Sequence, residues 1–396
     1  MYLKCTKLSQ SLFFYNYLRP VVAVGIIIST LGFYGCATTD SPKQVSTDYD
    51  YLVWPLPPEE PRIKYLRALF SEDQIVEAES MMSRLRDNLL GKPAKTGHQL
   101  KKPYAVHADK RGRVFVADSG WGKVLVFDEQ NKSFDIWGTK GNGILSKPLG
   151  ISSDKHGNIY VTDSILKRVV VFSPRGQFLY AMGKKGDLTR PVGIAIDDQR
   201  NRVYVVDSKE HHIVVFNKKG QLIETIGKRG SNPLEFNFPT NIALDSSGKI
   251  YITDSMNFRV HIINPDGSFH KSFGSNGNGR GQFVRAKGIA VDSLNHIYVA
   301  DAAFNNIQIF DPEGRLLLNL GSMGREPGQF ILPAGLYIDP ENKIYVADQY
   351  NFRVQVFQYL ENSNDVKQPE ILDKEKITTQ KNISRQHDLN DQEVQS

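Results

Sequence analysis

Cysteine is nearly missing: Cys5 and Cys36 are the only two among 396 residues, so no disulfide framework can hold the fold together. Their spacing also removes paired-thiol metal sites and haem attachment. Membrane-crossing runs are missing too. The apolar run "VVAVGIIISTLGF" at 21–33 has 13 residues, short of the roughly 20 that a spanning helix needs. Neither a nucleophile elbow nor a glycine-rich phosphate loop is present. Tryptophan is sparse, with 3 residues against 17 tyrosines and 21 phenylalanines, while 32 glycines supply turns; together these fit turn-rich β structure. With 40% apolar and 23% charged residues, the composition is that of a chain able to build a core. The net charge of +6 points to an acidic partner or an anionic surface and says nothing about fold.

Lys4, Lys7 and Arg19 precede the apolar run, whose length suits a signal-peptide core. Tyr34-Gly35-Cys36 follows at once. A small residue before a cysteine at that place resembles the lipobox of bacterial lipoproteins, although Phe33 stands where leucine is usual. The resemblance implies a signal peptide over 1–35, acylation of Cys36 and a flexible tether over 36–61 that ends in the proline-rich "VWPLPPEEP". Several acyl chains, at about 0.8 kcal/mol per buried methylene, give durable anchoring. Ala37 stands where an aspartate would signal inner-membrane retention, so the resemblance places the protein on the outer membrane, facing periplasm or cell surface. An uncleaved signal anchor is the alternative. Residues 361–396 are polar and free of aromatics, and read as a disordered tail.

Between these ends the chain repeats itself. Asp118, Asp163, Asp207, Asp254, Asp301 and Asp348, each closing a "YVxD"-like phrase, are spaced by 45, 44, 47, 47 and 47 residues. Each copy is opened by a proline (Ala286 in the fifth) and alternates β-branched or aromatic residues with Gly, Asn and Asp turns. That order predicts four antiparallel strands per copy. Six copies of that size predict an all-β fold, a six-bladed β-propeller of four-stranded antiparallel blades over 102–360.

Stretches such as "PVGIAID" and "KGIAVDSLNHIYVADAAFNNIQIFDPEGRLLLNLG", with linkers "GSNGNGRGQF" and "GSMGREPGQF", resemble the NHL-repeat family of β-propellers. That resemblance implies a platform that binds protein or RNA and, less often, an enzyme. "WPLPPEEPRIKYL" also resembles the start of bacterial lipoproteins of this type. The sixth copy stops after its third strand, and "RIKYLRALF" at 62–70 is a candidate to close the ring in its place; a plain linker is the alternative. A short helical insertion is expected over 71–101. Ser71 with Gln74 forms a capping box, and Ile75, Ala78, Met82, Leu85 and Leu89 follow helical spacing. Lidding the central opening and bracing the rim both suit this helix.

Charge is uneven. The five inter-blade linkers hold Lys140, Lys147, Lys184, Lys185, Arg190, Lys228, Arg229, Arg280, Arg285, Lys287 and Arg325 against Asp187, Glu235 and Glu326, eleven minus three or +8. Turns on the opposite face roughly cancel. Aromatic residues Trp121, Phe258, Phe304 and Phe352 share the basic face, as do Ile165, Leu166, Met256 and Tyr350. The candidate partner-binding set is therefore Lys184, Lys185, Lys228, Arg229, Arg280, Arg285 and Lys287 with those four aromatics. Its expected partner is an acidic extracytoplasmic protein or peptide, bound by a monomer without a cofactor. An export signal argues against nucleic acid as the natural ligand, and binding in vitro would be a charge effect. The repeat aspartates read as structural, paired with donors such as Arg168, Arg259 and Arg353, and His211-His212 reads as a solvated turn. The alternative function is a metal-dependent propeller lyase or lactone hydrolase with its site in the channel, where His107 and Tyr337 are unusual in their column.

Overall fold

A proline cannot donate to a ladder, so it sits well at the first residue of a strand. In the computed structural model, which describes residues 52–76 and 97–361, the opening prolines begin the inner strands Pro103–Ala108, Pro148–Ser153, Pro191–Asp197, Pro239–Leu244 and Pro333–Ile338, with Ala286–Val291 completing the set. Each inner strand starts a four-stranded antiparallel meander; in blade 1 it continues through Val114–Asp118, Lys123–Asp128 and Ser133–Trp137. Each inner strand also runs beside that of the next blade, and the sixth returns to the first. The protein is a six-bladed β-propeller.

Blades bury their faces only against neighbours. Between blades 1 and 2, Phe115 packs on Trp137 at 5.3 Å between ring centres, and Trp137 packs on Phe172 at 5.8 Å. At the axis glycine allows close approach. A Cβ on Gly150 would fall 2.1 Å from the Val192 carbonyl oxygen, and one on Gly288 would fall 2.2 Å from that of Ala334.

Ring closure comes from the N-terminal side. Ile63–Leu69 pairs antiparallel with Arg353–Tyr359, from Ile63 opposite Tyr359 to Leu69 opposite Val354, and so supplies the outer strand of blade 6. Tyr65 meets Phe357 edge to face at 5.5 Å. Arg67 reaches Glu129 of blade 1, with Nε donating to Oε1 at 2.9 Å.

The expected tether over 36–61 needs correction at its described end. Val53–Trp54 adds a fifth strand, with Val53 opposite Lys64 and Trp54 opposite Ile63. The proline-rich stretch between the strands acts as their turn, and the Trp54 ring packs on Phe357 at 5.7 Å, gaining aromatic burial that a free tether would forgo.

At the expected helix, the Gln74 side-chain oxygen accepts from the Phe70 and Ser71 N–H groups at 2.5 and 3.2 Å, and Glu72–Gln74 form one 3₁₀ turn. The rest of that expectation, over 77–96, lies outside the described residues, as do Cys36, the signal segment and the tail from 362.

Candidate functional site

The repeat aspartates build the linker face. Asp118, fully buried, accepts main-chain N–H groups of Lys101 at 2.7 Å, Lys102 at 3.0 Å, Gly120 at 2.8 Å and Trp121 at 3.0 Å. Asp207 holds the Arg190 N–H at 2.9 Å and Asp301 the Arg285 N–H at 3.1 Å. Each thus fixes the residue that directly precedes an inner strand and ties the linker to the turn between second and third strands. Burial raises the pKa of Asp254 and Asp348, while the donors around them pull it back. Arg259 and Arg353 pair with these aspartates at 2.9 and 2.8 Å, as expected. Arg168 does not. Its guanidinium donates to the Asn142 and Ile144 carbonyls at 3.1 and 2.9 Å, which the 3₁₀ turn Gly141–Gly143 places within reach.

Connectivity divides the basic residues by radius. Lys184, Lys185, Lys228, Arg229 and Arg280 are exposed in the linkers that leave the outer strands. One of them is partly balanced, Lys228 pairing with Glu235 at 3.5 Å, while Asp187 accepts the main-chain N–H of Lys184 at 2.8 Å. The N–H of Asn232, with Lys228 beside it, keeps the Glu235 carboxyl below its ordinary value. Lys102, Lys147, Arg190 and Arg285 instead directly precede inner strands, at the channel mouth; Phe238 and Leu332 take that place in blades 4 and 6.

Lys287 differs from the exposed arc in which the sequence placed it. It is half-buried within an inner strand, and its carbonyl accepts from the hydroxyls of Thr253 at 2.8 Å and Thr240 at 3.1 Å. Its amine stands 5.6 Å from the ring centre of Tyr104. Burial, with Arg285 and Lys102 adding to it, pulls the Lys287 pKa down to about 8. Burial pushes Tyr104 up, with Arg190 and Arg285 pulling it back.

The aromatics fare unequally. Phe352 is 52% exposed and adopts φ 55°, a left-handed conformation that Gly122 occupies at the equivalent place in blade 1. Phe258 shares the conformation but is half-buried against the core between blades 4 and 5, and Phe304 is half-buried as well. Trp121 is occupied: its indole N–H donates to the Gln99 carbonyl at 2.7 Å, and Lys101 covers its ring at 3.5 Å. Ile165, Met256 and Tyr350 are exposed on this face, joined by Phe238, Val284 and Met323, which sequence reasoning did not single out. Their one sequence signal was an apolar residue inside an otherwise polar linker.

At the far end of the channel, His107 places Nε2 2.8 Å from the Ser153 hydroxyl and its ring 4.2 Å from that of Tyr337. Burial lowers the His107 pKa to about 4. His211 is not solvated: it is buried, and Nδ1 accepts the Phe238 N–H at 3.0 Å. Among the described residues no group of three or more His, Cys, Asp or Glu side chains is arranged to hold a metal. At the linker-side mouth, Lys287 and its basic neighbours repel a cation, so that donor set does not fit a divalent ion.

The repeats, their clamps and the closed ring define a class. Residues 192–249 and 244–303 match a family described as a 6-bladed beta-propeller, and residues 330–357 match the NHL repeat. The chain is a six-bladed β-propeller, and within it residues 330–357 carry the NHL-repeat pattern. Among solved structures it is similar to a streptogramin B lyase, at 14% identity over 68% of this chain and 85% of that one, with a TM-score of 0.51. It is similar to virginiamycin B lyase from Staphylococcus aureus at 12% identity over 66% and 96%, with a TM-score of 0.50. A structural genomics protein of unknown function from Bacteroides thetaiotaomicron gives 16% over 65% and 70%, with a TM-score of 0.50. At these identities the likeness is one of fold. No curated protein matches the sequence.

Proposed function

We propose that the protein is an envelope-tethered scaffold that binds an acidic, partly apolar extracytoplasmic protein or peptide through its linker face. The observation that carries this reading is the coexistence, on that face, of exposed cations with exposed apolar side chains, Phe352 foremost. A left-handed backbone at a bulky residue costs roughly 1–3 kcal/mol, and 52% of Phe352 still faces water. A partner that covers the ring supplies further burial, and the cations elsewhere on the same face steer its approach. The tether rests on the basic, apolar, Gly35-Cys36 pattern, with acylation at Cys36 keeping the face close to the outer membrane. In this reading the propeller is a monomer, uses no cofactor, is not an enzyme and does not read nucleic acid in the cell.

Combining Lys184→Glu, Lys185→Glu, Lys228→Glu and Arg229→Glu tests it. Exposed substitutions usually stay within about 0.5 kcal/mol each, so thermal unfolding should hardly move. Capture of the envelope partner, identified by mass spectrometry, should weaken about tenfold or more, and wild-type capture should fade as salt rises. Equal capture by both proteins removes this face as the binding site.

A further inference from the structure

Four of the six residues that directly precede an inner strand are basic: Lys102, Lys147, Arg190 and Arg285. Buried aspartates hold the main chain of each. Lys287 joins them from inside the ring, its backbone fixed by the Thr240 and Thr253 hydroxyls of blade 4 and its amine facing Tyr104 of blade 1. Arg190 and Arg285 both act on the Tyr104 hydroxyl, and Arg285 and Lys102 both act on the Lys287 amine. Because the inner strands neighbour one another around the ring and these residues stand at their starting ends, cations from blades 1, 3 and 5 line the same mouth of the channel. Among the described residues none of these five basic side chains forms an ion pair. The nearby repeat aspartates are buried and committed to main-chain N–H groups.

Like charges gathered this way work against folding unless something else uses them. We propose that the linker-side mouth of the central channel binds a small multivalent oxyanion, a phosphate or a polycarboxylate. Lys287 is its central contact, Arg285, Arg190 and Lys102 are flanking charges, and the Tyr104 hydroxyl is a donor. A multivalent ion fits because a single negative charge leaves most of the cluster unbalanced. A small one fits because the Lys287 amine of blade 5 stands only 5.6 Å from the ring centre of Tyr104 in blade 1. The Lys287 amine, already shifted by burial and by its basic neighbours, gains most from such a charge. This site goes beyond the partner-binding reading and does not need it, since Lys184 and Lys185 lie outside the axial cluster.

Calorimetric titration of the full chain with pyrophosphate and, separately, with citrate tests the proposal at about 0.15 M salt, where distant charges are screened. One or both should bind at one molar equivalent. Pyrophosphate alone assigns the phosphate class and citrate alone the carboxylate class. Lys287→Met should weaken binding about tenfold or more, about 1.4 kcal/mol or greater, while Lys287→Arg keeps it and Lys184→Gln with Lys185→Gln leaves it within about twofold. In the unaltered chain, the bound ion should slow acetic anhydride modification of Lys287 about tenfold relative to Lys228. Absence of binding by both anions, or equal loss from the Lys287→Met and Lys184→Gln/Lys185→Gln proteins, overturns the site. So does equal protection of Lys287 and Lys228.

Discussion

Tyr65→Ala strikes the ring where its two ends meet. Tyr65 is 3% exposed, stands edge to face with Phe357 at 5.5 Å and shares a core with Ile63, Leu336 and Phe330. Replacing a buried aromatic by alanine costs about 3–5 kcal/mol, the lost transfer and the cavity together. About 0.5–1.5 kcal/mol of that belongs to the ring pair. The loss is a large share of the roughly 5–15 kcal/mol by which domains are stable, and it falls on the strand that closes the propeller. With a urea slope of about 3 kcal/mol per molar, the unfolding midpoint should drop by about 1 M or more. Leu56→Ala is the control: Leu56 lies in the turn between the two N-terminal strands, is 65% exposed, and should shift stability by less than about 0.5 kcal/mol. A Tyr65→Ala midpoint equal to that of Leu56→Ala would refute the closing role of Ile63–Leu69.

Acid should loosen the fold through its buried histidines. Burial holds His107 and His261 at about 4 instead of 6.5, so the unfolded chain takes up protons first, and stability present above pH 6.5 is lost as pH falls toward 4. His261 accepts the Leu234 N–H, a task that Gln308 and Gln355 perform for Gly281 and Gly328, so His261→Gln should fold and flatten that decline; an unchanged pH profile of the melting temperature counts against this. Asp348→Ala leaves the buried Arg353 unpaired and should cost about 3–5 kcal/mol in denaturant unfolding, whereas Asp266→Ala, in an exposed turn, should cost far less. Cys36→Ser should release the protein from the membrane fraction or leave an unprocessed precursor, and a wild-type mass with intact Met1 and no acyl groups would contradict the tether.

The blades were legible because one aspartate and one opening residue recur at a nearly fixed period, and because the sixth copy visibly lacks its outer strand. Val53–Trp54 was not legible: "VWPLPPEEP" is full of strand breakers, and its pairing depends on an edge that exists only after Ile63–Leu69 has docked. The radius of each cation was hidden as well. Counting Lys287 among the linker cations overlooked that Ala286 opens the fifth copy, so that Lys287 belongs to the inner strand, where the Thr240 and Thr253 hydroxyls of the preceding blade hold its carbonyl. The Lys228–Glu235 pair follows from a short parallel pairing of Lys228–Arg229 with Glu235–Phe236 inside one linker, which no periodicity announces. His211 looked solvated because its partner, the Phe238 N–H, lies 27 residues away in the next linker.

Placement of the partner on the linker face is tested most directly by photocrosslinking in intact cells. A benzophenone side chain at Phe352, 52% exposed on the linker face, is compared with one at Leu294, 48% exposed in a turn on the opposite face. The account expects one discrete adduct from position 352, lost when Lys184, Lys185, Lys228 and Arg229 are changed to glutamate, and none from position 294. Adducts from position 294 alone, or an adduct at 352 that survives the charge reversal, would contradict it.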